Sequence, residues 1–235
     1  MTALPLAGGG LGAGAAFLAW SVRGRSASIF GRSVWHGNPD RRAVALTFDD
    51  GPSEGTPAIL DILAQYRVPA TFFQVGANVD RLPEVARAVA AAGHAIGNHS
   101  YTHPLFCFRS PIFIETDLRR AQLAIRARTG VEPEWFRAPY GVRWFGMGRA
   151  QKRLALTGVM WTTIGLDWKL NSDGVYQILA TGAANGAILC VHDGRELQAR
   201  PDISVTVEAV RRLVPALLEQ GYVFETINQL LCPTN

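Results

Sequence analysis

The decapeptide AVALTFDDGP, residues 43–52, decides how this chain folds. Its first six residues are apolar or β-branched and contain no helix-capping pattern, so they predict a buried β-strand. Gly51-Pro52 ends that strand, and it leaves the carboxylates of Asp49 and Asp50 at the strand's C-terminal end. Two carboxylates this close can divide their work, one binding a cation and the other staying free as a base. An ordinary Asp-Asp-Gly-Pro turn is the alternative interpretation.

A second group of residues with metal-binding chemistry lies in GNHSYTHP, residues 97–104. Pro104 and the strand-like residues 94–97 place His99 and His103 in a loop that follows a strand. Two imidazoles at this spacing can share one metal ion, although surface histidines at such a spacing are common. Joined to the aspartate pair, they form an Asp plus two His set with coordination positions left for water and substrate. That composition is typical of a catalytic metal site rather than a closed structural one.

Three further polar motifs follow predicted strands later in the chain. They are WFRAPYG at residues 135–141, GLDW at 165–168 and AILCVHDG at 187–194. Taken singly, Arg137, Asp167 and His192 could be a salt-bridge arginine, a helix-start aspartate and a rim histidine. Barrel enzymes, however, collect their catalytic groups at the C-terminal ends of strands. The shared position of the three residues therefore indicates one site.

Predicted strands and helices alternate along most of the chain, which favours parallel βα units in one α/β domain. The strands are predicted at 43–48, 70–75, 94–98, 134–137, 158–164, 186–192 and 222–226. The helices are predicted at 57–66, 83–92, 113–129, 146–156, 174–182 and 203–220. An apolar content of 48% supports a full core. Pro215 interrupts the apolar stripe of the last helix and is expected to kink or weaken it.

Five motifs, in this order, resemble those of the polysaccharide deacetylases, the NodB-homology domain of carbohydrate esterase family 4. They are TFDDGP at 47–52, HSYTH at 99–103, RAPY at 137–140, DW at 167–168 and LCVHD at 189–193. The resemblance covers roughly residues 41–231. It implies a distorted (β/α) barrel with about seven parallel strands, of the NodB-homology type. It also implies a metal-dependent hydrolase that removes N-acetyl groups from the amino sugars of a peptidoglycan-like or chitin-like glycan.

The resemblance further implies one divalent metal ion and a neighbouring base. Zn²⁺ is the expected ion, with Co²⁺ or another divalent ion as the alternative. Its ligands would be Asp50, His99 and His103. Asp49 resembles the general base, and Arg137 would hold its carboxylate in place and keep it ionised through the opposite charge. The metal would polarise the amide carbonyl as negative charge develops on its oxygen.

The acid and the substrate pocket come from the remaining motifs. His192 resembles the general acid that protonates the leaving amine, with Asp167 polarising it. By the same resemblance, the backbone N–H of Tyr140 would join the metal in stabilising the oxyanion. Trp168 and Leu189 would form the walls of the acetyl pocket.

One position departs from the family pattern. Many members carry another aspartate three residues before the Asp-Trp pair, and this chain has Ile164 there. The departure leaves open which group tunes His192, and Asp167 is the residue assigned here. Two other functions stay open at this point. One is a deformylase or deacetylase of a lipid-linked sugar at the cytoplasmic membrane face, and the other is a non-catalytic carbohydrate-binding barrel.

Residues 1–40 are predicted to be a leader, and residues 41–235 the catalytic domain. Residues 3–22 carry no charge and are long enough to span a bilayer, which predicts a membrane anchor at the cell envelope. A disordered Gly-rich start is the alternative. The arginines that follow would place the domain on the cytoplasmic side, whereas a wall-modifying deacetylase would act outside, so the orientation stays open. These arginines are Arg23, Arg25, Arg32, Arg41 and Arg42.

Charge and cysteine content restrict the possible partners. The net charge of +4 favours anionic envelope polymers or lipid surfaces. We find no aromatic stacking platform or nucleic-acid-binding motif, so no nucleic-acid partner is expected. Cys107, Cys190 and Cys232 are odd in number and lack metal-type spacing, and they indicate no disulfide framework. The expected partner is a glycan that contains N-acetylated amino sugars, and the oligomeric state stays open.

Overall fold

Nine strands and nine α-helices make up residues 7–232, the part of the chain that the computed structural model describes. The strands are β1 (Ser33–Val34), β2 (Ala43–Asp49), β3 (Thr71–Gln74), β4 (Ala95–Asn98), β5 (Trp135–Phe136), β6 (Thr157–Val159), β7 (Thr163–Ile164), β8 (Ala187–His192) and β9 (Val223–Phe224). The helices are α1 (Ala7–Arg23), α2 (Thr56–Tyr66), α3 (Gly76–Arg81), α4 (Pro83–Ala91), α5 (Pro111–Thr129), α6 (Met147–Leu154), α7 (Ser172–Gly182), α8 (Ser204–Glu219) and α9 (Ile227–Leu231).

Strand β2 lies near the middle of a curled parallel sheet. The strand order is β1-β6-β5-β4-β3-β2-β8-β7, and β9 also pairs with β2. Every residue of β2 is buried, because β3 and β8 flank it and the sheet is covered on both faces. All strand pairs are parallel, so the C-terminal ends of the strands meet at one rim. The predicted distorted (β/α) barrel is confirmed, with nine strands in the described residues rather than about seven.

Side chains alternate between the two faces of β2, and this alternation positions the site. Val44, Leu46 and Phe48 pack in the main apolar cluster with residues of the surrounding helices. Ala43 and Ala45 face the opposite side, in a separate apolar cluster. Thr47 and Asp49 have the same parity as these alanines, so they also point away from the main cluster. This places the Asp49 carboxylate inside the curl of the sheet.

One predicted strand, residues 158–164, is divided into two. Strand β6 pairs with β5 and β1, whereas β7 pairs with β8 at the other end of the strand order. Residues 160–162 therefore cross from one end of the curled sheet to the other, which a continuous strand cannot do. The structure also adds the short elements β1, α3 and α9, whose few residues give no clear periodic pattern. Helix α8 continues through Pro215.

The residues that precede β2 pack against the sheet from residue 21 onward. Ser21, Ala27 and Phe30 are buried, and β1 pairs with β6. Residues 12–20 of α1 are exposed. Between residues 7 and 232, no helix is both long enough and apolar enough to cross a membrane. The membrane anchor predicted over residues 3–22 thus has no support from the described part of that segment, and residues 3–6 lie outside the described residues.

Candidate active site

Asp50, His99 and His103 meet in a buried cluster at the C-terminal rim of the sheet. Oδ1 of Asp50 lies 3.3 Å from Nε2 of His99 and 2.9 Å from Nε2 of His103. One potential ligand atom from each residue lies within 4.8 Å of the others. Asp50 directly follows β2, His99 directly follows β4, and His103 lies in the next loop. The structure therefore brings these three side chains together.

Neighbouring residues leave free the atoms through which this cluster could bind a metal ion. Nδ1 of His99 lies 2.8 Å from the carbonyl oxygen of Arg137, to which it donates as N–H, so the lone pair of Nε2 faces Asp50. The backbone N–H of Glu196 donates to Oδ2 of Asp50 at 2.9 Å, whereas Oδ1 accepts no hydrogen bond. Two imidazole nitrogens around an unpartnered carboxylate oxygen form a donor set that suits Zn²⁺ or a similar divalent cation. The residues present therefore fit a metal ion.

Charge within the cluster also prepares it for a cation. Burial of Asp50 raises the pKa of its carboxyl group, but the neighbouring imidazoles of His103 and His99 outweigh this and hold the pKa well below its usual range. The carboxylate is thus ionised at neutral pH. Asp50 and His103 adopt left-handed backbone conformations, with φ of 73° and 50°, which are costly for residues other than glycine. Such strain is concentrated at functional sites, and here it turns the two side chains toward each other.

Asp49 lies beside this cluster and is fixed by Arg137. Nη1 of Arg137 donates to Oδ1 of Asp49 at 2.7 Å, and both side chains are almost completely buried. The same guanidinium group donates to Thr47 Oγ1 at 2.8 Å and to the carbonyl oxygen of Val159 at 3.2 Å. The thiol of Cys190 lies 3.5 Å from Oδ2 of Asp49. These contacts hold the carboxylate at the edge of the cavity, next to the cluster of Asp50, His99 and His103.

His192 and Asp167 form a second oriented pair. Nδ1 of His192 lies 2.8 Å from Oδ1 of Asp167, whose Oδ2 accepts hydrogen bonds from Thr206 at 2.7 Å and lies 3.0 Å from Nη1 of Arg195. Burial alone would lower the pKa of His192, but the hydrogen bond and charge of Asp167, with the charges of Asp50 and Asp49, raise it to about 9. The imidazole is therefore protonated at neutral pH, with Nε2 free to donate.

These groups face one cavity of about 580 Å³, which we call the cleft. Its lining includes Asp49, Asp50, Tyr140, Trp161, Trp168 and His192. Ile164, the position at which the family pattern has an aspartate, also lines the cleft. Asp167 is the carboxylate in contact with His192 in this chain. Arg137 and Asp167 lie behind the residues that they orient.

One sequence-based assignment to the pocket differs from the structure. Leu189 is completely buried in the main apolar cluster and does not line the cleft. It has the opposite parity to Cys190 and His192 in β8, so its side chain points to the helices and not into the curl of the sheet.

Glu196 belongs to the site but lies outside the motifs found in the sequence. Its carboxylate accepts a hydrogen bond from the hydroxyl of Tyr140 at 2.7 Å, and its N–H holds Asp50. Asn78 donates to the carbonyl oxygens of both Glu196 and Asp50, at 2.7 and 2.8 Å. Sequence patterns do not predict these contacts, because most of them use a backbone N–H or carbonyl group. Such groups leave no residue pattern.

Asp193, the last residue of the LCVHD motif, lies next to the turn that carries Asp49 and Asp50. Its carboxyl group is completely buried and accepts a hydrogen bond from Thr56 at 2.7 Å. Burial raises the pKa of Asp193 to about 7. A Cβ atom at Gly51 would lie 2.2 Å from Oδ2 of Asp193, so the turn after Asp50 needs glycine there. The carboxyl group therefore packs directly beneath the turn that carries Asp49 and Asp50.

Comparison with known proteins places this site in a family. The model of the family described as polysaccharide deacetylase matches residues 36–159. A chitooligosaccharide deacetylase of Bradyrhizobium sp. (strain ANU 289) is 35% identical over 198 residues, which cover 80% of this chain and 90% of that protein. A peptidoglycan-N-acetylglucosamine deacetylase of Listeria monocytogenes is 33% identical over 192 residues, covering 80% of this chain and 39% of that protein.

Solved structures give the same result. The Bc1960 peptidoglycan N-acetylglucosamine deacetylase superposes with a TM-score of 0.80 at 27% identity, covering 86% of this chain and 94% of that one. A pseudoenzyme of the same esterase family from Bacillus anthracis superposes with a TM-score of 0.77 at 30% identity, covering 84% of this chain and 68% of that one. The fold is therefore shared by active and inactive relatives, and activity has to be argued from the side chains.

Proposed function

Because the chain belongs to the polysaccharide deacetylase family, we propose that it is a divalent-metal-dependent hydrolase that removes N-acetyl groups from the amino sugars of a glycan. One observation carries this proposal. The buried cluster of Asp50, His99 and His103 shares a single cleft with Asp49 and His192, each of which has its own orienting partner. A metal site, a base and an acid around one cavity are the requirements for amide hydrolysis.

The reaction follows from the positions of these residues. A divalent cation, for which Zn²⁺ is proposed and Co²⁺ is the alternative, would be held by Asp50, His99 and His103 and would supply polarisation of the amide carbonyl and activation of water. Asp49, held in place by Arg137, accepts a proton from the attacking water. His192 donates a proton to the departing amine, which is a poor leaving group without it. The backbone N–H of Tyr140 serves as the additional donor to the oxyanion.

The walls of the cleft suit an acetyl group on a sugar. Trp168 packs edge-on against His192, with ring centroids 5.1 Å apart, and about half of its side chain remains exposed to the cleft. Ile164 adds apolar surface on the same side. Apolar side chains next to the acid accommodate the acetyl methyl group, whereas the open part of the cleft receives the sugar rings. Relatives that act on chitooligosaccharides and on peptidoglycan leave both substrates as candidates.

A non-catalytic barrel is the second candidate, and it draws on the pseudoenzyme among the similar structures. The side chains of this chain speak against it, because all three metal ligands, the base and the acid are present and oriented. A barrel that only bound sugars would not need a buried arginine to hold Asp49 or a buried aspartate to charge His192. We therefore favour turnover over binding alone.

Acetate release tests the proposed function. Chelator-stripped protein is supplied with Zn²⁺ or Co²⁺ and incubated with chitooligosaccharides and with peptidoglycan fragments. We expect release that requires the metal and that is absent from the Asp50→Ala variant. Release from one substrate identifies the glycan. Metal binding without release from either substrate would contradict the proposal and favour a lipid-linked or N-formylated sugar.

An Asp167→Asn variant tests the proposed acid. The carboxylate of Asp167 raises the pKa of His192, so the protonated, donating form persists to about pH 9 in the wild type. Activity that depends on this form is fully present below the His192 pKa and is lost as the pH rises through it. Without the negative charge the pKa falls, and we expect the alkaline limb of the kcat profile to move to lower pH. A bound cation lowers the limb in both proteins, so the shift between them is the measured quantity. An unchanged alkaline limb would contradict the role of Asp167.

A further inference from the structure

Arg23 brings an arginine of the N-terminal segment into the cleft. Its side chain lines the same cavity as Asp49, Asp50 and His192. It is exposed and forms no hydrogen bond or ion pair with any residue between positions 12 and 232. In the sequence, Arg23 is one of the arginines that follow the predicted membrane anchor. The structure instead places it at the substrate cavity.

The backbone on both sides of Arg23 is attached to the rim of the barrel. The carbonyl oxygen of Val22 accepts a hydrogen bond from the N–H of Arg143 at 3.0 Å. The buried guanidinium group of Arg143 donates to the carbonyl oxygens of Gly24 and of Ala27, the latter at 2.5 Å. Arg143 belongs to the loop that also carries Tyr140. The segment therefore forms a fixed wall of the cleft, and the backbone of Arg23 is held on the same cavity as Asp49, Asp50 and His192.

The other charged side chains of the cleft already have partners. Arg195 pairs with Asp167 at 3.0 Å, and the carboxylate of Glu196 accepts from the hydroxyl of Tyr140 at 2.7 Å. Asp49 pairs with Arg137, and Asp50 faces the two metal-binding histidines. Among the described residues that line the cleft, Arg23 is the cationic group left without a counterion. An anionic ligand group would provide one.

A free guanidinium group selects a particular kind of substrate. Its planar fork of N–H donors matches a carboxylate, with which it forms two charge-assisted hydrogen bonds. A neutral chitin-type chain offers only hydroxyl and amide groups, which do not compensate the charge. A glycan with a carboxylate on, or next to, the N-acetylated sugar does compensate it.

We propose that Arg23 binds a substrate carboxylate, so that the substrate is an acidic glycan rather than a neutral chitin-type chain. This inference rests on the proposed deacetylase function. Two sources of the carboxylate share this chemistry, the lactyl ether of an N-acetylmuramyl sugar and a uronic acid next to an N-acetylated sugar.

Kinetics on matched substrates test the inference. The metal-loaded, full-length protein is assayed for acetate release from an N-acetylglucosaminyl-N-acetylmuramyl disaccharide and from its methyl ester, which differs only in the charge. An oligosaccharide that alternates N-acetylglucosamine and glucuronic acid, with its methyl ester, forms the second arm. The measured quantity is the ratio of kcat/KM for the acid to kcat/KM for the ester, because partial unfolding of a variant cancels in this ratio.

We expect the wild-type protein to prefer the acid in one arm, and that arm identifies the source of the carboxylate. Arg23→Gln should lower the preference about tenfold, the effect of losing one charge-assisted contact. Arg23→Lys should retain part of it. Arg32→Gln makes the same change of charge in the same segment but outside the cleft lining, and it should keep the wild-type ratio.

The two ways of failing are distinguishable. Acetate release from the esters with no preference for the acids, or a preference that Arg23→Gln leaves unchanged, would overturn the role of Arg23 and leave the deacetylase function standing. A loss of preference in Arg32→Gln equal to that in Arg23→Gln would also overturn it, because net charge and not position would then be responsible. No acetate from any of the four substrates would overturn both proposals.

Discussion

Replacing Asp50 by alanine is expected to abolish tight binding of Zn²⁺ or Co²⁺ and to lower metal-restored acetate release by about 10³-fold or more. Asp50 supplies the one carboxylate oxygen of the proposed ligand set, and that oxygen accepts no hydrogen bond in its buried position. Without it, two neutral imidazoles remain, which hold a divalent cation less well than a set that includes a negative charge. The proposed polarisation of the amide is worth several kcal/mol and disappears with the ion.

Three measurements separate loss of metal from loss of fold. Metal content after dialysis gives the stoichiometry, and a titration gives the affinity. Added Zn²⁺ should raise the melting temperature of the wild-type protein, because the ion binds the folded state, and should leave that of Asp50→Ala unchanged. Asp61→Ala removes an exposed carboxylate from α2 and is the matched control, with wild-type metal binding expected. An Asp50→Ala protein with wild-type stoichiometry and affinity would contradict the proposed metal site.

The sequence was sufficient for the central part of the fold because its strands are apolar runs bounded by glycine, proline and polar residues. The alternation of strands and helices predicts the parallel barrel. The rule that catalytic groups gather at the C-terminal rim predicts that the proposed metal ligands lie close to Asp49 and His192. Both predictions rest on properties of single segments. Pairing between distant segments depends on more than one segment. Residues 158–164 therefore look like one strand in the sequence, although β6 and β7 pair at opposite ends of the sheet.

Side-chain direction accounts for the pocket residue that was misplaced. Leu189 and His192 lie three positions apart in β8, and period-two alternation puts them on opposite faces of the strand. Cys190, which has the parity of His192, is the residue in contact with Asp49 and Arg137. The alternation could have been read from the sequence, because it depends only on the positions of Leu189 and His192 within one strand.

The roles of Glu196 and Arg23 were beyond the reach of sequence patterns. Glu196 acts on Asp50 through its backbone N–H, and any residue other than proline carries that group. Arg23 reaches the cleft because a buried arginine, Arg143, attaches the N-terminal segment to the rim. An arginine that follows an apolar stretch also matches a membrane-proximal pattern. Only the tertiary contacts distinguish the two.

Asp49→Asn and His192→Gln are each expected to lower kcat on an N-acetylated substrate by about 10²- to 10⁴-fold while metal binding is retained. Asparagine keeps the shape of Asp49 and an oxygen that can accept from Arg137, but it cannot take a proton from water. Glutamine at position 192 lacks a group that is protonated at neutral pH. Because the base and the acid act in one reaction, the double variant should lose far less than the product of the two single losses.

The leaving group distinguishes the base from the acid. An aryl acetate releases a phenolate that departs without protonation, so the proposed acid is not needed, whereas attack by water still requires the base. We therefore expect His192→Gln to regain most of the wild-type rate on an aryl acetate and Asp49→Asn to remain impaired. His36→Gln, outside the cleft lining, is the control and should match the wild type on both substrates. Equal impairment of both variants on the aryl acetate would contradict the division of roles, since it would mean that His192 acts before the leaving group departs.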